Sequence, residues 1–195
     1  MKKILAVFLA ILMLCEFALA EEQGEIVPVT FESYAQCFAE FAEAEWKMDD
    51  IEQLQVISPE DGVTVSVCLS EGDVVCISVE FPCDQFMDSV HAAIAGLGWL
   101  SDGAIEQVLA LEDDALLEVD ECVVYRVHGE NRDAFSICRA VDSENMLWQP
   151  IHGGMKLHTK VECSGMDVSR MITEEAAQLT GWENCKRCNG EENEE

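Results

Sequence analysis

Positive charge is scarce in this chain: 11 lysines and arginines stand against 39 aspartates and glutamates over 195 residues, a formal charge of −28. A field of that sign repels phosphate backbones and anionic lipid head groups, which excludes nucleic acid as a partner. A basic protein or peptide, or loosely held metal ions, are the partners it leaves open. Long apolar runs are missing too. Beyond the first 20 residues, no stretch approaches the ~20 apolar residues that a membrane span requires.

Signatures of common enzyme chemistry are also absent. The chain has no Asp-x-Asp-x-Asp-Gly calcium loop and no glycine-rich phosphate cradle, and neither Ser101 nor Ser164 sits in a Gly-x-Ser-x-Gly elbow. The acidic pairs Asp49-Asp50, Asp113-Asp114 and Asp120-Glu121 could serve as paired carboxylates. At this density of acid, however, such neighbours arise without purpose. The four histidines cannot be assembled into a triad from their spacing. The expectation is a noncatalytic binding or interaction module with no cofactor.

What is present begins with a leader. Lys2-Lys3, the apolar run Ile4 to Leu14, and Ala18-Leu19-Ala20 before Glu21-Glu22 read as a signal peptide over residues 1–20, cleaved after Ala20. The chain is therefore expected to be secreted, with a polar lead over 21–29, one domain over 30–182, and a Cys-x-x-Cys plus acidic disordered tail over 183–195. Losing Lys2, Lys3 and Glu16 makes the mature chain one unit more acidic.

Ten cysteines, with Cys15 in the leader, leave nine in the mature chain. In an exported protein that number favours disulfides, and its oddness leaves one cysteine over. Apolar matching suggests two pairs. Centring a hairpin on Gly72 sets Val65 against Val79, Val67 against Ile77, Leu69 against Val75, and Cys68 against Cys76, with one face wholly hydrophobic. Folding Leu116–Val127 back through His128–Arg132 onto Ala134–Val141 sets Tyr125 against Phe135, Val123 against Ile137, and Cys122 against Cys138.

Around these hairpins the pattern predicts a helix from Thr30 to Lys47 with an aromatic core stripe, and a strand over Gln53–Ser58. Helices follow between Asp84 and Gly98 and from Ser101 to Leu111, then a strand over Met155–Cys163 and a last helix over Asp167–Thr180. The fold class is α+β: an antiparallel sheet from two hairpins or meanders against about four helices. Val79-Glu80, a helix and Gly98-Trp99 are echoed by Val161-Glu162, a helix and Gly181-Trp182, which suggests a pseudo-repeat dividing near residues 100–115. The element order α-β-β-β-α-β-β-α is similar to the secretion-chaperone-like fold. It is similar also to tandem-repeat secreted inhibitor domains, in which helices lie against a sheet.

Cys185-x-x-Cys188 is the one short pattern with chemical meaning, because its spacing serves disulfides, redox sites and zinc sites. It follows a helix C-terminus and precedes a run of glutamates, which favours a structural bridge over a reactive thiolate. Zinc would need two more ligands from His152, His158 and Cys163. On a regular strand His158 and Cys163 point to opposite faces, so no metal site is expected, and Cys185, Cys188 and His158 remain as its nearest candidates. A thiol-disulfide or zinc-dependent activity at this Cys-x-x-Cys is the alternative function.

Overall fold

A computed structural model describes residues 28–42, 46–51, 53–59, 62–83, 88–163 and 166–188. The expected signal peptide, most of the polar lead, the start of the helix expected from Asp84 and residues 189–195 lie outside the described residues. The chain is α+β. Seven antiparallel strands form one sheet in the order β1-β2-β3-β4-β7-β6-β5. They are β1 (Trp46–Ile51), β2 (Leu54–Pro59), β3 (Thr64–Ser70), β4 (Asp73–Pro82), β5 (Leu116–Val119), β6 (Cys122–His128) and β7 (Arg132–Arg139).

Three helices cover one face of this sheet: α1 (Phe31–Ala42), α2 (Asp88–Ala95) and α3 (Asp102–Leu109). Thr30 caps α1 by accepting the N–H of Ser33 at 3.2 Å, and Ser101 caps α3. The aromatic stripe of α1 enters the core. Tyr34 and Phe38 are buried, and the Tyr34 hydroxyl donates to the Ala93 carbonyl at 3.0 Å. Beneath the helices lie Val65, Val67, Ile77, Val79, Phe81, Phe135 and Ile137. Each large side chain so buried contributes about 1.5–3 kcal/mol of transfer free energy.

The expected helix to Lys47 ends five residues early, and Trp46 begins the edge strand β1 instead. The first hairpin keeps its expected register as far as Cys68 opposite Cys76. A bulge then sets Leu69 opposite Val74, and Glu71-Gly72 closes the turn with φ of 53° and 93°. A two-residue turn with both φ positive matches the strand twist.

The second hairpin is shifted by one residue from its expected register. Cys122 lies opposite Arg139, Val123 opposite Cys138, and Val124 opposite Ile137. The shift sends Cys122 to the helix-covered face and Cys138 to the other, so these two cannot be bridged. Polar anchors at the hairpin end account for it: Asp133, opposite His128, is buried in an ion pair with Arg126. The segment expected as one strand is also two. Asp120 and Glu121 turn between β5 and β6 with φ of 48° and 60°, and Asp120 is held there by Ser101 N–H and Oγ at 2.8 and 2.7 Å.

A second layer lies on the opposite face of the sheet. It holds β8 (Met146–Pro150), antiparallel to β10 (Ser169–Thr173), helix α4 (Glu174–Thr180), and β9 (Lys156–Leu157), parallel to β11 (Glu183–Asn184). The last helix was expected from Asp167, but its first half is β10. That strand runs across the sheet so closely that small polar side chains meet its backbone. Met171 N–H donates to Ser78 Oγ at 3.1 Å, Cys76 Sγ to the Met171 carbonyl at 3.4 Å, and Thr173 N–H to Cys68 Sγ at 3.3 Å. These groups are buried or half-buried, so Cys68 of β3 and Cys76 and Ser78 of β4 satisfy polar groups that leucine or valine would orphan. Leu179 is 46% exposed on α4.

Candidate functional site

Two clusters of chemically versatile side chains lie on the second layer and at the end of the β6–β7 hairpin. The first arises from β9 and β11. Their parallel pairing ends with the Cys185 N–H donating to the Leu157 carbonyl at 2.7 Å, which seats Cys185 beside His158. His158 is itself fixed to β8 by two backbone hydrogen bonds with Trp148, at 2.7 and 2.9 Å. A turn at 186–188 brings Cys188 back, held by Thr159 Oγ1 donating to its carbonyl at 2.6 Å.

Cys163 completes the group. The expected strand over Met155–Cys163 is only two residues long, and the chain then turns, with Cys163 N–H donating to the Lys160 carbonyl at 3.3 Å. The turn cancels the strand parity that set His158 and Cys163 on opposite faces. One donor atom from each of His158, Cys163, Cys185 and Cys188 lies within 4.8 Å of the others. Sequence reasoning named Cys185, Cys188 and His158 and discarded Cys163. The signal for it was the pairing of His-x4-Cys with Cys-x2-Cys, the two-plus-two layout of four-ligand metal sites.

The electrostatics of this cluster favour the ligating forms of Cys185 and His158 and oppose that of Cys163. Backbone N–H groups of Cys188 and Arg187 hydrogen-bond Cys185 and hold its thiol below the ordinary range. Burial, reinforced by the neighbouring sulfurs, pushes Cys163 up. Burial and the charge of Lys156 push His158 down, which keeps its imidazole neutral.

The second cluster joins Cys83, His128 and Asp133. Asp133 lies between its partners: Oδ1 accepts from His128 Nδ1 at 2.6 Å and from Cys83 Sγ at 3.3 Å, while Oδ2 accepts from Arg126 at 2.7 Å. The thiol therefore faces an anion rather than a cation or an imidazole, and a neighbouring negative charge disfavours the thiolate that a nucleophile needs. This arrangement anchors the hairpin end.

No family model, curated protein or solved structure matches the chain. Function has to be read from the residues themselves.

The remaining predicted positions fall elsewhere. Cys68 and Cys76 are cross-strand neighbours on the second face, and Cys138 extends the row from β7, opposite Cys76. All three are buried thiols. His91 is exposed on α2. His152 Nε2 bonds the buried carboxylate of Glu80 at 2.7 Å and takes no part in the thiol cluster.

Between the two clusters runs a groove. One cleft of about 380 Å³ lies between β6 and residues 161–163 and 166–167, and a second of about 360 Å³ lies between β5 and β8. They share Leu116 and Tyr125 as a common wall. Leu116 is 48% exposed, and Tyr125 is held edge-on against Trp148 at 5.0 Å. The rim carries Asp114, Glu118, Glu144, Glu162, Asp167 and Glu174. The guanidinium of Arg126 in the wall is already engaged by Asp113 and Asp133, at 3.0 and 2.7 Å. Among the described residues, β5 is the last strand of its sheet and has no partner on its outer edge.

Proposed function

We propose that the chain is an exported, acidic, noncatalytic interaction module that captures a basic, extended segment of another protein along the outer edge of β5. The observation that carries this reading is the meeting of an open strand edge with a groove that has Leu116 and Tyr125 in its wall and carboxylates on its rim. An extended peptide adds main-chain hydrogen bonds to such an edge and places alternate side chains in the flanking clefts. Leu116 and Tyr125 offer the apolar contact, and the carboxylates select lysine or arginine. The chain's own ends make poor occupants, since residues 21–25 read Glu-Glu-Gln-Gly-Glu and residues 191–195 Glu-Glu-Asn-Glu-Glu. A second copy is equally acidic, so charge complementarity points to a basic partner.

The test is fluorescence anisotropy with a labelled peptide of alternating lysine and valine, against its glutamate-valine counterpart. The lysine peptide is expected to bind with an affinity that falls with salt. The double reversal Glu162→Lys/Asp167→Lys is expected to weaken it at least tenfold. Glu32→Lys/Glu106→Lys, an equal charge change on the helical face, is expected to leave it within about twofold. Equal effects of the two reversals, or no binding, overturn the reading.

A further inference from the structure

Four donor atoms of His158, Cys163, Cys185 and Cys188 lie within 4.8 Å of one another, and two of their separations match the edges of a tetrahedral metal site. Cys163 Sγ and Cys185 Sγ are 3.8 Å apart, and Cys188 Sγ and His158 Nδ1 are 3.6 Å apart. A tetrahedral zinc ion with bonds of ~2.3 Å to sulfur and ~2.0–2.1 Å to nitrogen gives edges of about 3.8 Å for S···S and about 3.6 Å for S···N. A disulfide would bring the sulfurs to ~2.05 Å. The second cluster fails the same comparison, because His128 Nδ1 and Asp133 Oδ1 at 2.6 Å are much closer than the roughly 3.3 Å edge of two ligands on one such ion.

We propose that His158 Nδ1 and the thiolates of Cys163, Cys185 and Cys188 bind one zinc ion as a closed structural centre. Three sulfurs and one imidazole form a soft donor set that disfavours calcium and magnesium. Four protein ligands leave no open position for water or substrate, which is the pattern of a structural site. The surroundings fit the charge. Three thiolates against a divalent ion leave a net negative charge, and in this acidic chain Lys156, Lys160, Lys186 and Arg187 all lie within four residues of a ligand. Lys160 and Arg187 share a surface hollow with Cys163 and Cys188. The N–H groups directed at Cys185 supply the outer hydrogen bonds that hold a ligating thiolate in place.

Such a centre would do two things that the fold otherwise leaves to short elements. It would clamp the last turn of the chain onto β9, where β11 contributes only two residues. It would also fix Glu162 and Cys163, which line the groove beside β6. The assignment stands without the peptide-binding reading, because its test reads the metal and not the partner.

The full-length chain, purified anaerobically without chelator, is expected to contain about one zinc per molecule by elemental analysis. Replacing it with cobalt(II) is expected to produce the intense visible bands of tetrahedral coordination and a thiolate-to-cobalt band in the near ultraviolet. Cys188→Ser is expected to weaken zinc binding by more than the 10–100-fold typical of an outer-shell change. His158→Cys is expected to retain a tetrahedral spectrum with a stronger thiolate band, and Cys83→Ser to change nothing. Absence of stoichiometric metal, an octahedral cobalt spectrum, or metal lost with Cys83→Ser but kept with Cys188→Ser overturns the proposal. So does a Cys163–Cys185 disulfide in peptide maps of anaerobic protein. The cobalt spectrum of the unmutated chain decides the matter even where a variant fails to fold.

Discussion

Asp133 Oδ1 accepts a hydrogen bond from His128 Nδ1 at 2.6 Å across the closing pair of the β6–β7 hairpin. Asp133 is almost fully buried, and Arg126 holds its other oxygen. Burial alone would raise the Asp133 pKa, but the hydrogen bonds from Arg126, Cys83 and His128 outweigh it and hold the carboxyl below its ordinary value. The same bond pushes His128 above its ordinary value.

These shifts set the pH dependence of Asp133→Asn. The stabilisation from Asp133 is present above its unfolded pKa near ~3.9 and is lost as pH falls through the lower folded value. The contribution of His128 is present below its unfolded pKa near ~6.5 and is lost as pH rises through the higher folded value. Both are complete between roughly pH 4 and 6.5. In that window Asp133→Asn is expected to cost about 1–3 kcal/mol, as for losing charge-assisted hydrogen bonds, since Arg126 keeps Asp113 as a partner and His128 is half exposed. Urea unfolding at pH 5.5, 3 and 9 checks this, and the gap between variant and wild type should be widest at pH 5.5.

Gly129→Ala should disturb the same hairpin end for a steric reason. A Cβ there would lie 2.7 Å from both the Arg132 carbonyl oxygen and Asp167 Oδ1, and would collide with Val168. The Arg132 oxygen belongs to the same turn, where it accepts from Gly129 N–H at 2.9 Å, so it cannot retreat independently. A loss of about 1–3 kcal/mol is expected from overpacking. Gly103→Ala, in the first turn of α3 with nothing within 4 Å, is expected to stabilise by about 0.5–1 kcal/mol. Urea midpoints of the two variants should move in opposite directions.

The two hairpins show why one register was legible in the sequence and the other was not. In β3–β4, Val65, Val67, Ile77 and Val79 match in a single alignment, and Glu71-Gly72 is a strong turn signal. In β6–β7, apolar residues occupy both faces, because the sheet is buried on both sides, so two registers one residue apart match equally well. Arg126, His128 and Asp133 decide between them, and apolar matching is blind to such pairs. Strand β10 was hidden in another way. Val168, Met171 and Ile172 fall at helical spacing, yet they lie on a short strand and its approach because the second layer needs backbone donors over Ser78 and Cys68. The thiol cluster was missed on one assumption, that the chain stays extended from Met155 to Cys163.

The buried row of thiols makes a prediction about reactivity. Burial pushes Cys76 well above the ordinary thiol value and Cys138 up to about 12, and on the helical face it pushes Cys122 to about 11. The thiolate is the reactive form, so these three should resist alkylation at neutral pH. The half-buried Cys37 on α1 is expected to react before these three. Mass-spectrometric timing of iodoacetamide labelling should show Cys76, Cys122 and Cys138 labelled together, at the rate of global unfolding.

Removing the metal should loosen one corner of the molecule without unfolding it. The larger core under α1–α3 contains Phe38, Phe81, Phe135 and Ile137 and draws on no residue of the thiol cluster. The elements tied by that cluster are short: β9 and β11 have two residues each, and one hydrogen bond from Cys185 N–H to the Leu157 carbonyl extends their pairing. Two such residues cannot hold a strand pair without an additional constraint. Chelation is therefore expected to accelerate hydrogen exchange by at least tenfold over residues 156–163 and 183–188, while β3, β4 and β7 keep their protection. The groove should respond as well, since Glu162 belongs to the released segment and Leu116 does not. Affinity for a basic peptide should fall on chelation and return with zinc. Loss of protection throughout the sheet would mean instead that the two layers unfold as one unit.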